Sequence, residues 1–223
     1  MTRVVIGTIG YVILFGTFLL VPAPRPIPWR AWALLGVLLV VRVAGDAVVY
    51  RVNPTLLRER QKPPLQSGQP MADRVLLVSV MAAFALLVSL ASVDGLRLHV
   101  FGVAPSPVAI GGMCLFIGGW ALVAAALRSN AFALLVVRAQ EQQVVVTGGP
   151  YKYVRHPMYL GVIAVALGTA LWLQSYLAAL GVALPATLLA GRIVLEERFI
   201  VRHTAGYHEY ASRVPYRLLP FIW

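Results

Sequence analysis

Apolar residues run along this chain in long, nearly unbroken blocks rather than in the three-to-four-residue rhythm of an amphipathic helix or the alternation of a half-buried strand. Four blocks over residues 4–21, 31–50, 75–93 and 108–127 each approach or reach the roughly 20 residues needed to cross a hydrocarbon core. A fifth, over 159–195, is too long for one crossing, and Gln174 and Ser175 interrupt it near its middle. That break predicts a helical hairpin, so the pattern predicts six membrane segments in an all-α, polytopic protein. Between the second and third segments, residues 51–70 form a polar connector containing Asn53-Pro54 and Pro63-Pro64, with a short surface helix expected over "TLLRER".

Composition supports the reading: hydrophobic residues make up 60% of the 223 and charged residues only 12%, well under the roughly 25% usual for soluble domains. The first block exceeds the roughly 7–15 apolar residues of a secretory leader, so it is expected to stay as a span. The net charge of +11 falls unevenly. Arg51, Arg58, Arg60, Lys62 and Arg74 lie in one loop, Arg128, Arg138, Lys152 and Arg155 in another, and Arg198, Arg202, Arg213 and Arg217 follow the last segment. The alternate loops hold only Arg25, Arg30 and Arg97. Basic residues gather on the cytoplasmic side of short loops, which predicts six spans with both termini in the cytoplasm. The charge then reads as topology and as contact with anionic lipid headgroups. No basic run with interleaved aromatics supports a nucleic-acid partner.

The single cysteine, Cys114, excludes a disulfide within the chain and is expected as a small buried hydrophobe. His203 and His208 are badly spaced for two ligands on one helical face, so no metal is expected. Arg42 and Asp46 share a face of the second segment, a pair that serves either structure or function. Arg192 and Glu196 repeat that spacing near the end of the sixth segment, with Glu197 adjacent. In a hairpin the entrance of one helix lies beside the exit of the next. Arg155, His156, Arg192, Glu196 and Glu197 therefore converge at one interface, with Tyr153 and Tyr159 as aromatic walls. A belt of snorkelling charges would give the same composition, but Gly148-Gly149-Pro150 and Pro157 fix a backbone path on both sides of the charges, which favours a site. Pro157 suits the first turn of a helix, whose free N–H groups attract an anion.

The stretch "RHPMYLG", followed some way on by "EE" at Glu196 and Glu197, resembles the signature of the isoprenylcysteine carboxyl methyltransferase family, integral membrane enzymes that use S-adenosylmethionine. The resemblance runs from "SNAF" through "VVVTGGPYKYVRHPMYLG" and "EER" to "YHEYASRVPYRLLPF". Without internal repeats the chain reads as one integral membrane domain over 1–223, its N-terminal spans in 1–127 resting on hydropathy alone, and the resemblance implies a cofactor-binding methyltransferase core in 128–223. It also implies that Tyr153, Arg155, His156, Pro157, Tyr159, Glu196 and Glu197 hold S-adenosylmethionine. The chemistry agrees: carboxylates suit the cofactor's ammonium and hydroxyls, Arg and His suit its carboxylate, and tyrosine faces suit its sulfonium. The implied reaction is methyl transfer to a lipophilic or lipid-modified acceptor, a prenylcysteine-like carboxylate or thiolate foremost, with phospholipid amines and small thiols as alternatives, and a non-catalytic scaffold as another. An anionic acceptor needs alignment more than acid–base help, so Arg155 or Arg192 is the expected orienting group. An amine acceptor would give Glu196 the role of base.

Overall fold

A computed structural model describes residues 2–138, 140 and 143–223 and is helical throughout its long elements. In chain order these are α1 (Thr2–Leu20), α2 (Trp29–Val52), α3 (Pro54–Arg60), α4 (Met71–Val93), α5 (Ser106–Ser129), α6 (Pro157–Trp172), α7 (Tyr176–Gly181), α8 (Ala183–His203) and α9 (Tyr207–Arg213). Five stretches are long and apolar enough to span a membrane, Tyr176–His203 counting as one, and α6 is a sixth, shorter apolar helix. The protein is thus a polytopic integral membrane protein of the all-α class, with the hairpin where the sequence broke. Ser175 terminates the first arm and starts the second, because its hydroxyl accepts from the Ala178 amide as a helix N-cap does.

Large apolar side chains face outward along the spans, among them Ile6, Ile13, Val40 and Leu86, as lipid rather than water demands. Leu34, Leu38, Phe116 and Leu173 fill the interior between them. Lipid offers no hydrophobic drive for helices to associate, so close backbone approach through small residues must supply it. At the crossing of α5 and α6, a Cβ on Gly119 would stand 2.7 Å from the carbonyl oxygen of Gly161, and the reverse holds at the same distance. The two backbones touch there, which fixes α6 and with it the loop that leads into it.

One expectation needs correction. Cys114 is exposed on the outside of α5, where a small thiol meets lipid as easily as core. The "TLLRER" segment forms the short helix α3, which buries Leu56 and Leu57 against Val49, Val123 and Leu127 and leaves Thr55 and Arg58 exposed. The Arg42–Asp46 pair closes at 3.2 Å. Thr8 donates to the same carboxylate at 2.5 Å, and the Arg42 guanidinium lies beside both the Tyr11 and Trp120 rings, which meet edge to face, so the pair joins α1, α2 and α5.

Candidate active site

The loop before α6 is shaped by its glycines and prolines. Gly149 has φ of +57°, and a Cβ there would meet the Ser129 hydroxyl, so only glycine lets the chain turn against the end of α5. One turn of 3₁₀ helix over Gly149–Lys152 follows. The next amides, of Arg155 and His156, donate to the carbonyls of Tyr216 and Arg217 at 2.9 Å each, so the C-terminal segment runs alongside the entrance to α6. Pro157 then begins α6 at a position where its missing N–H costs nothing.

Glu197, from α8, is the centre of the charges. Its Oε1 accepts from Arg155 Nε at 2.7 Å and stands 3.1 Å from His156 Nε2, and the Tyr207 hydroxyl donates to it at 3.3 Å. Its Oε2 accepts from Arg217 Nε at 2.8 Å. Both oxygens are therefore engaged by protein groups, and two guanidiniums against one carboxylate leave the node one positive charge in excess. Arg155 Nη1 also donates to the carbonyls of Ala211, Val214 and Pro215, which ends α9 with a cation. Glu196 makes a separate pair: the Tyr159 hydroxyl donates to its Oε2 at 2.6 Å, and the His156 and Tyr159 rings are stacked 5.7 Å apart.

Over this node lies an open cleft whose empty space, including the part open to solvent, is about 680 Å³. Arg155, His156, Tyr159 and Glu196 line one side; Asn130, Phe132 and residues 143–146 line another; Tyr151, Thr204, Tyr207 and Tyr210 close it. Burial pushes the phenols of Tyr151 and Tyr210 up to about 12, and burial followed by the charge of Glu197 raises that of Tyr207. These rings thus meet a ligand as neutral, polar-tipped faces. Thr204 Oγ1 is buried in the same wall with no partner among the described residues.

The structure brings together Arg155, His156, Tyr159, Glu196 and Glu197. It separates three other expected groups from the cleft. Tyr153 is 71% exposed and points away, Pro157 is packed inside, and Arg192 does not pair with Glu196. Arg192 Nε instead donates to Asp73 Oδ1 at 2.9 Å, and its Nη2 donates to the Leu135 carbonyl. A wholly buried carboxylate on α4 outcompetes a neighbour one turn away that Tyr159 already holds. Tyr151, Tyr207 and Tyr210 had no expected role, although they fall inside the stretches that carry the resemblance, and Thr204 lies between two of those stretches. Among the described residues no group of three His, Cys, Asp or Glu side chains could hold a metal ion.

Fold and site together define an integral membrane protein with a cleft of charged, aromatic and apolar side chains at the mouth of a helical hairpin. Residues 106–205 match the model of the family described as phospholipid methyltransferase. Protein-S-isoprenylcysteine O-methyltransferase B of Arabidopsis thaliana is 34% identical over 91 residues, 40% of this chain and 46% of that protein. Protein-S-isoprenylcysteine O-methyltransferase of Schizosaccharomyces pombe is 32% identical over 112 residues, 48% of this chain and 46% of that protein. The match spans just under half the length of each relative. A solved structure of the eukaryotic intramembrane Ras methyltransferase ICMT shares the fold, with a TM-score of 0.56 at 20% identity, covering 96% of this chain and 74% of that one. Residues 106–205 thus resemble the phospholipid methyltransferase family, and the aligned stretches resemble isoprenylcysteine O-methyltransferases.

Proposed function

We propose that this protein transfers a methyl group from S-adenosylmethionine to the carboxylate of a prenylcysteine-like acceptor, at the cytoplasmic face of its membrane. The observation that carries this reading is the pairing of unlike charges across one cleft, an arginine node with an excess positive charge facing a separate carboxylate on Glu196. A zwitterionic amino-acid cofactor calls for that arrangement. Arg155 Nη2, which makes no hydrogen bond within the described residues, suits the cofactor's carboxylate, and the free oxygen of Glu196 suits its ammonium. Tyr151, Tyr207 and Tyr210 offer faces to a cation or an aromatic base, and Thr204 Oγ1 offers a hydroxyl to a polar edge. Glu197, Pro157 and Tyr153 act outside contact with the ligand: the first orients Arg155 and His156, and the second starts α6.

S-adenosylmethionine, when bound, supplies a methyl group on a sulfonium, so an ionised carboxylate acceptor needs no proton transfer. What remains for the protein is alignment and exclusion of water. The tyrosines and residues 144–146 wall the cleft on its wet side, while Met158 and Ile200 face it from the helices. The named activity of the Arabidopsis and fission yeast relatives supports a carboxylate acceptor, and the lipid-facing spans support one that arrives through the membrane. The distribution of basic residues supports a cytoplasmic site with both termini on that side.

Purified protein in detergent, given methyl-labelled S-adenosylmethionine, is expected to label an S-farnesylcysteine analogue and not phosphatidylethanolamine or a simple thiol. The product should release labelled methanol in alkali, as an ester does and an N-methyl or S-methyl product does not. Label that resists alkali, or that appears only in the aminophospholipid, would overturn the carboxylate reading. Absence of S-adenosylhomocysteine binding by folded protein would overturn the cofactor itself.

A further inference from the structure

Residues 130–138 wall the cleft through Phe132, Ala133 and Leu134, yet they belong to no helix or strand. Buried backbone polar groups must find partners, and here the partners come from elsewhere in the chain. Arg60 Nη1, on α3, donates to the Ala133 carbonyl at 2.7 Å. Asp73, in the first turn of α4 and wholly buried, accepts from the Val137 amide at 3.0 Å through Oδ2. The same oxygen accepts from Gln69 Nε2 at 2.6 Å, and Oδ1 holds Arg192, whose Nη2 reaches the Leu135 carbonyl. One step upstream, Asn53 Nδ2 donates to the carbonyls of Leu127 and Arg128 at 2.9 Å each, capping the end of α5 from which the wall departs. Glu59 adds an outer tie to Arg138 at 2.9 Å.

Asn53 and Arg60 lie in the connector between the second and third spans and Asp73 at the start of the third, all outside the 106–205 stretch that matches the family model. We propose that the connector and the first turn of α4 form a positioning clamp: through Asn53, Arg60 and Asp73, with Arg192 as the link to α8, they hold the backbone of residues 127–137 in the shape that forms one wall of the cofactor cleft. The proposal rests on the reading of the cleft as the cofactor site. None of the four touches the ligand; each acts through the wall. Arg192 is accordingly a positioning residue rather than the group that orients an acceptor, because Asp73 engages its Nε and the Leu135 carbonyl its Nη2 and it does not line the cleft.

The test uses the full chain in detergent without added ligand, followed by hydrogen–deuterium exchange of its amides. Arg60→Ala is expected to speed exchange over residues 132–138 by about tenfold, since a segment without a helical ladder opens locally once its ties are cut, while α5 and α6 keep their protection. Asp73→Asn should do the same with its largest change at Val137, whose amide Asp73 accepts; should that buried variant fail to fold, Arg60→Ala decides alone. Arg58→Ala, exposed on the same helix, should change nothing. Calorimetry with S-adenosylhomocysteine should then show about a tenfold weaker Kd for Arg60→Ala, the scale that a displaced wall imposes, with recovery in Arg60→Lys and no matching fall in Tm. Unchanged exchange at 132–138 in Arg60→Ala would overturn the clamp. So would faster exchange with an unaltered Kd. A parent that binds no S-adenosylhomocysteine would overturn the cofactor reading and, with it, the clamp's purpose, while the exchange data would still report whether the ties hold the segment.

Discussion

Two adjacent glutamates at the end of α8 carry the same charge and do different work. Glu197 lies beneath the cleft with all its bonds to protein, so its loss strands Arg155 and the partly exposed Arg217 without a counter-charge. Glu197→Ala should cost about 3–5 kcal/mol of stability, the scale for breaking a buried pair from one side, read by unfolding in detergent. Glu196→Gln should leave the unfolding midpoint nearly unchanged and weaken S-adenosylhomocysteine binding by about 1.5–3 kcal/mol, the value of a hydrogen bond to a charged group. If the two variants behave alike, the division of roles is wrong. The adjacency of the pair was plain in the sequence, but the division was not. It depends on Arg217 and Tyr207 arriving from the chain beyond the hairpin. Raised phenol pKa values give a second expectation. A tyrosine whose folded pKa lies above its unfolded value, about 10, adds stability that is complete below pH 10 and lost as pH rises toward the folded value. For Tyr151 and Tyr210 that upper limit is about 12. Melting temperature measured from pH 7 to 11 should be flat on this account to about pH 10 and fall beyond it, and Tyr151→Phe should flatten the alkaline fall. A melting curve whose alkaline limb ignores that substitution would mean the ring is not buried as described.

At the scale of elements, the hairpin and the spans could be read from hydropathy because a crossing helix needs its apolar residues in one continuous stretch, and because Gln174 and Ser175 interrupt the longest stretch. What could not be read is how helices choose neighbours. The i, i+4 spacing of Arg192 and Glu196 suggested a pair, but spacing along one helix says nothing of a carboxylate on another, and Asp73 stands 119 residues away in sequence. The buried leucines of α3 were hidden for the same reason: their partners lie on α2 and α5. Helix contacts do follow from glycine once the structure is known. Gly161→Leu should prevent α5 and α6 from meeting and abolish a cooperative melt in detergent, because even its Cβ lacks room. Gly111→Leu, with nothing within 4 Å of its added Cβ, should melt like the parent. Equal tolerance of both changes would show that the two helices are not in backbone contact.

Across the whole molecule the helices differ in length, and the shortest long one leads into the site. At 16 residues and about 1.5 Å per residue, α6 measures about 24 Å, against about 30 Å for a typical hydrocarbon core. Its partner in the hairpin and the spans around it are longer. We expect that shortfall at the entrance of α6, where Arg155 and His156 stand, so that the surrounding lipid thins or tilts to follow it. A protein with such a recess should be sensitive to bilayer thickness. In vesicles of defined chain length, methyl transfer is expected to be faster in thin bilayers than in thick ones, with S-adenosylhomocysteine affinity changing less than turnover. Rates indifferent to acyl length would mean that the recess is filled by protein rather than felt by lipid. Where it is felt, a hydrophobic anchor need not be drawn out of the membrane to react: the bilayer surface itself dips to the depth of the cleft.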